Sequence, residues 1–197
     1  MHAYDERASL RRDAVVLASW PVASGGEDPA AGAGELACAS KPGHDRAHVG
    51  HGHVTTDTDN PPAFIAVIKL REAEDGNPST YAGVETAALQ KRGYPDLAPL
   101  SLALAPEKAF PIALATAKKM SWTIVEADPT TRRIEASERS FWMGFTDDIV
   151  VRVAAADSGS RIDVRSASRH GRSDLGVNAA RIRTYLAALS EAEKPGN

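Results

Sequence analysis

Apolar residues recur along the second half of the chain with two periods, and each period predicts an element. From Pro106 to Met120, the residues Ala109, Phe110, Ala113, Leu114, Ala117 and Met120 fall at three- and four-residue steps, one face of an amphipathic helix. Pro106 suits a first helical turn, where no amide is needed, and Pro111 lies early enough to be tolerated. The period then changes to two. "WTIVEA" (122–127), "RIEASERSFWMGF" (133–145), "DDIVVRVAA" (147–155) and "RIDVRSASR" (161–169) predict strands, with turn formers in "DPTTRR" (128–133) and "ADSGS" (156–160). After the turn "GRS" (171–173), Leu175, Ala179, Ile182, Tyr185, Leu186 and Leu189 predict a closing helix, capped by Ser173 or Asp174. Gly171 is expected to supply a backbone angle that only glycine adopts readily. The order α-β-β-β-β-α predicts an α+β fold, a small antiparallel sheet of about four to five strands with two main helices on one face.

The alternation also sorts the two faces of the sheet. Ile149, Val151, Val153, Ile162 and Val164 point toward the helices. Val150, Arg152, Arg161, Asp163, Arg165 and Arg169 point the other way, and Glu135 shares parity with Arg133 and Arg139. The second face is therefore expected to be open and lined with alternating arginine and acid. Glu135, Asp147, Asp148, Arg152 and Asp163 are read as a structural ion-pair ladder, each pair modest in energy if exposed. Gly171, Asp174 and Asn178 are read as structural at the strand-to-helix junction.

Upstream the periodicity fades. Residues 1–52 are rich in Ala, Gly, Asp and His and read as a low-complexity, disordered tail that buries too little apolar surface to offset its ordering entropy. Residues 53–190 read as a single α+β domain, with 53–104 as an extended arm and 105–190 as the regular core, and 191–197 as a disordered end. In the arm, "PPAFIAVIKL" (61–70) predicts an extended arm laid along the core or an edge strand, and "REAEDGNPST" (71–80) a loop. A short helix is expected from Gly83 to Lys91, ended by Gly93 and Pro95, and then an extended "DLAPLSLALAP".

Composition narrows the classes. A net charge of −3 excludes a whole-protein basic field for nucleic acid. Cys38 is the one cysteine, so no intrachain disulfide forms. No segment approaches the ~20 apolar residues of a membrane-spanning helix, and the N-terminus lacks a secretory apolar run. Read from its residues, the chain is expected to be soluble and cytoplasmic.

Six stretches carry a family resemblance: "TTDTDNPPAF" (55–64), "YPDLAPL" (94–100), "PEKAF" (106–110), "SWTIVEADPTTRRIEAS" (121–137), "FTDDIVVRV" (145–153) and "SRIDVRSASRHGRSDLGVNAARIRTYLAAL" (160–189). Together, over roughly 53–190, they resemble the bacterial and plastid family known as domain of unknown function 1499. The resemblance implies a fold and a cell-envelope setting rather than a reaction. Many relatives carry transmembrane helices ahead of the domain, whereas the first 50 residues here are polar.

Candidate chemistry is sparse. His44, His48, His51 and His53 lie close in sequence and are possible metal ligands, although neither geometry nor a second shell can be read from the spacing. Glu135, Asp147, Asp148 and Asp163 are an alternative set for a hard cation and a metal-dependent enzyme, but interleaved arginines favour ion pairs. His170, Ser173 and Asp174 are too close in sequence for a catalytic triad. Arg165, Arg169, Arg172 and Ser173, beside a helix start, form the candidate anion site for a small acid or lipid head group. Nucleic acid is not expected, because the Arg-rich segment brings no stacking aromatics besides Tyr185 on the apolar face. No cofactor is implied. The leading expectation is a non-enzymatic binding or scaffolding domain linked to the cell envelope.

Overall fold

The computed structural model describes residues 52–139, 144–171 and 176–194. Its elements run β1 (His53–Thr55), α1 (Ile68–Ala73), α2 (Val84–Gly93), β2 (Leu100–Leu102), α3 (Pro106–Lys119), β3 (Thr123–Asp128), β4 (Arg133–Arg139), β5 (Thr146–Ala156), β6 (Gly159–Ser168) and α4 (Val177–Glu193). Strands β3 to β6 form an antiparallel meander, as the period-two segments and their short turns require. The far edge of β6 takes two short strands end to end. β1 pairs with its 165–167 stretch and β2 with its 160–162 stretch, both antiparallel. The sheet is thus six-stranded, in the order β1-β6-β5-β4-β3 with β2 beside β6, rather than four- or five-stranded.

Helices α3 and α4 cover one face. Ala109, Phe110, Ala113 and Ala117 of α3 and Ala179, Ile182, Tyr185 and Leu189 of α4 bury against Ile134, Ile149, Val151, Val153, Ile162 and Val164. Small alanines on α3 let it approach the sheet closely, and Trp122 fills the space at its end. The Trp122 ring stacks on Tyr185 with centroids 4.8 Å apart. The Tyr185 hydroxyl donates to the Ala113 carbonyl at 3.0 Å, so its one polar atom is satisfied inside the core. α4 begins at Val177 after Gly176, later than the expected start; Ser173 and Asp174 lie outside the described residues. It continues to Glu193, whose carboxylate accepts the Ala103 amide at 2.5 Å.

The second face departs from the expectation. It is covered, not open, because the arm folds across it. "PPAFIAVIKL" forms no edge strand: 61–65 is irregular chain laid along the core, and α1 starts at Ile68 and takes in Arg71–Ala73 from the expected loop. Phe64 and Val67 bury against Val150 and Ala167, with Ile68 and Val125 at the margin. A short apolar run does not by itself distinguish strand from helix. Here it supplies the second, smaller apolar cluster. α2 closes the free edge of β1: Gln90 donates to the Thr55 carbonyl at 2.6 Å and accepts the Thr55 amide at 3.0 Å.

Gly159 and Gly171 both take positive φ, at +135° and +86°. A Cβ on Gly159 would lie 2.1 Å from the Leu102 carbonyl oxygen, while one on Gly171 meets no atom within 4 Å among the described residues. Gly171→Ala is therefore predicted to cost about 1 kcal/mol, backbone strain alone. Gly159→Ala must also displace β2 and is predicted to cost about twice that or more. Urea unfolding of both variants checks this; equal losses would contradict it.

Candidate functional site

The charged side chains of the second face lie between sheet and arm, and three clusters tie the two together. Glu135 of β4 is fully buried. One of its oxygens accepts the Ile65 amide at 2.9 Å and the Arg133 guanidinium at 2.9 Å, and the other accepts the Val67 amide at 3.0 Å. It does for the turn entering α1 what a capping side chain does within a helix, but from another strand. Burial lowers the pKa of Arg133, but its hydrogen bonds and ion pairs with Glu126 and Glu135 outweigh this and hold it above the ordinary value.

Asp148 of β5 is the centre of the second cluster. It accepts from Arg71 of α1 at 2.7 Å, from Arg169 at 2.6 and 3.2 Å, and from the Ser137 hydroxyl at 2.7 Å. Arg71 also donates to the Asn77, Ala167 and Ser168 carbonyls, so α1 inserts a fully engaged guanidinium into the sheet. Arg169 reaches Glu74 at 2.6 Å, and its pKa is raised, chiefly by the Asp148 hydrogen bond. In the third cluster Arg152 and Arg161 both bridge Asp163 of β6 and Asp57 of the arm, at 2.7–3.1 Å.

Arg165 differs from these. It is 2% exposed, yet no carboxylate pairs with it among the described residues. It donates to the Pro62 carbonyl at 3.3 Å, the Ser79 carbonyl at 2.6 Å and His53 Nδ1 at 2.8 Å. Arginine has no acceptor, so His53 Nδ1 must be the acceptor and that ring is neutral with its proton on Nε2. The rings of Phe64 and Tyr81 lie 4.8 and 5.6 Å from the guanidinium carbon. The Nε–H is buried without a partner among the described residues. Burial, with repulsion from Arg71, pulls the pKa down to about 10, so the group remains a cation at neutral pH.

The helix-covered face has its own polar group. Arg181 of α4 pairs with Asp147 at 2.6 Å and with Glu138. Asn178 accepts from Arg181 and from the Ser166 hydroxyl, and donates to the Gly52 carbonyl at 2.7 Å and to Ser168 Oγ at 3.0 Å.

These positions revise several sequence expectations. Of the expected ladder, Glu135, Asp148 and Asp163 form a buried layer rather than an exposed one, Arg152 is part-buried at its margin, and Asp147 points to α4 instead. Each of the four candidate metal-binding acids lies within 3.0 Å of an arginine nitrogen, and no group of three or more potential ligands converges among the described residues. Arg165 and Arg169 do not assemble an open anion site, because both turn under the arm; Arg172 and Ser173 lie outside the described residues. His53 is a buried β1 residue engaged by Arg165, and His44, His48 and His51 lie outside the described residues. The roles of Arg71, Arg181 and Gln90 escaped the sequence reading. For Arg71, which lies under the arm, the one available signal was Val150 and Ala167, apolar positions on a face expected to be wet.

Two clefts flank α2. The larger, about 570 Å³, is walled by Thr58, Pro61, Tyr81, Val84, Ala87 and Ala88. The smaller, about 320 Å³, is walled by Thr56, Asp57, Gln90, Tyr94, Pro99 and Arg161. Asp59 and Lys91 line both, and their exposed ion pair at 3.1 Å partitions them. Burial pushes the Tyr81 phenol up to about 12, against the pull of Arg165 and with a further push from Asp59.

Fold and site together define a class: an α+β domain whose antiparallel sheet carries two helices on one face and a charge-pinned arm on the other. Within that class the chain belongs to the family described as "Protein of unknown function (DUF1499)", whose model matches residues 53–189. No curated protein matches the chain. Among solved structures it is similar to Ara h 8.0201, at 13% identity and TM-score 0.37 over 48% of this chain and 93% of that one. Protein CV1439 from Chromobacterium violaceum aligns at 13% identity and TM-score 0.38, over 50% of this chain and 95% of that one. Likenesses this loose carry no inference about function. Among the described residues, no helix is long and apolar enough to cross a membrane.

Removing one partner of a buried pair leaves an uncompensated charge, and that costs about 3–5 kcal/mol. Asp148→Asn, which strands Arg71 and Arg169, is predicted to lose that much in urea unfolding. Asp59→Asn, which breaks an exposed pair, is predicted to lose at most about 1 kcal/mol. Similar losses for the two would refute the buried clamp.

Proposed function

We propose that the domain acts by binding rather than by catalysis, and that its ligand seat is the larger cleft between the 58–61 segment, Tyr81 and α2. One observation carries this reading. The carboxylates of the second face are committed to arginines, with Glu135, Asp148 and Asp163 at most 1% exposed, which leaves no free acid pair there among the described residues for proton transfer or cation binding. The cleft, by contrast, is concave, mostly apolar and of a size that suits a small molecule, within the usual range of about 300–1,000 Å³. Its charged groups, Asp59 and Lys91, sit at the rim, where they select orientation without driving chemistry. The cell-envelope setting implied by the family resemblance belongs to the same proposal and directs the search toward envelope components.

Ala88 is exposed on the cleft-lining side of α2, so Ala88→Trp fills the cleft at little cost in stability. A ligand-observed NMR screen of small amphipathic molecules is predicted to give hits on the native protein that are lost with Ala88→Trp. Hits that persist in the variant, or no hits at all, would overturn the reading.

A further inference from the structure

Among the described residues, Arg165 is a cation without an anion. Every other buried arginine described above meets a carboxylate: Arg71 and Arg169 meet Asp148, and Arg181 meets Asp147. Arg165 instead holds two carbonyls, one imidazole nitrogen and two ring faces, and its Nε–H has no partner among the described residues. Neutral acceptors compensate a desolvated guanidinium poorly, and a charged acceptor forms hydrogen bonds about twice as strong. The residue is also adjacent to an opening. Tyr81, whose ring lies 5.6 Å from the guanidinium carbon, is itself a wall of the 570 Å³ cleft. Ser79, which supplies the shortest of the carbonyl contacts, belongs to the same irregular segment as Tyr81. Tyr81 thus touches both the guanidinium and the cleft.

Resting on the ligand seat proposed above, we infer that the cleft takes an amphipathic carboxylate: an alkyl or aryl acid whose apolar body lies against Pro61, Val84 and Ala87, and whose carboxylate replaces the Ser79 carbonyl at Arg165. Movement of the Tyr81 ring admits the head group. The planar guanidinium suits a planar carboxylate, offering two parallel N–H donors where the Ser79 carbonyl uses one. Ion pairing supplies what the neutral acceptors lack. The apolar body supplies what a small inorganic anion lacks.

The test observes the Arg165 Nε–H resonance of the native full chain by ¹⁵N–¹H NMR while sodium decanoate, decanol or inorganic phosphate is added. Decanoate is predicted to shift this resonance downfield and to bind about tenfold or more tightly than decanol, the worth of a charge-assisted hydrogen bond. Decanol and phosphate are predicted to leave the resonance in place. Equal affinities for decanoate and decanol, both lost with Ala88→Trp, would overturn the carboxylate inference while sparing the cleft. A shift with phosphate alone would overturn the amphipathic class. No binding of decanoate or decanol would overturn the inference, whatever other ligands the cleft takes.

Discussion

Asp148 held between Arg71 and Arg169 is the contact on which the second layer of this domain depends. A carboxylate at the centre of a sheet, cut off from water, is strongly unfavourable unless its lone pairs are filled. Four donors fill them here, one of which comes from a helix far away in sequence. The requirement is mutual: Arg71 and Arg169 are themselves buried and need Asp148 as much as it needs them. Such a set rewards one geometry of arm against sheet and penalises all others. That specificity, more than any net gain in stability, is what a buried ion cluster can contribute.

The two faces of the sheet are therefore held by different physics. Under α3 and α4 the contact is broad and apolar, from Ile134 to Leu189, and tolerates small adjustments. Under the arm the apolar cluster is small, centred on Phe64, Val67, Val150 and Ala167, and the directional bonds of Glu135, Asp148 and Asp163 fix the register. Glu135 illustrates the economy of this layer. One side chain satisfies two backbone amides of the arm and neutralises Arg133. The same layer disarms the carboxylates as acids or ligands, so a ligand seat is to be sought outside it, beside α2.

The helix-covered half was legible because both its signals are periodic. Ala109, Phe110, Ala113 and Ala117 at helical spacing, and Ile149, Val151 and Val153 at strand spacing, each point to one covered side. The arm was not legible because nothing periodic marks it. β1 has three residues, and α1 has six and begins inside an apolar run that fits a strand equally well. The parity of Arg165 and Asp163 correctly put them opposite the helices, but parity reports a side and not whether that side is wet. Val150 and Ala167 carried that information. An apolar residue between Asp148 and Arg152, and another between Arg165 and Arg169, make sense only if something apolar covers them. Arg165, expected to meet a surface anion, is instead buried without one among the described residues.

The central claim is that the arm is a layer of the folded core and not a strap lying on its surface. Native-state hydrogen exchange of the Ile65 and Val67 amides, the pair held by Glu135, tests it most directly. If the claim is right, both amides exchange only through global unfolding, with the same free energy as the Val151 amide in β5. Exchange of Ile65 and Val67 through a local opening, while Val151 stays protected, would contradict it.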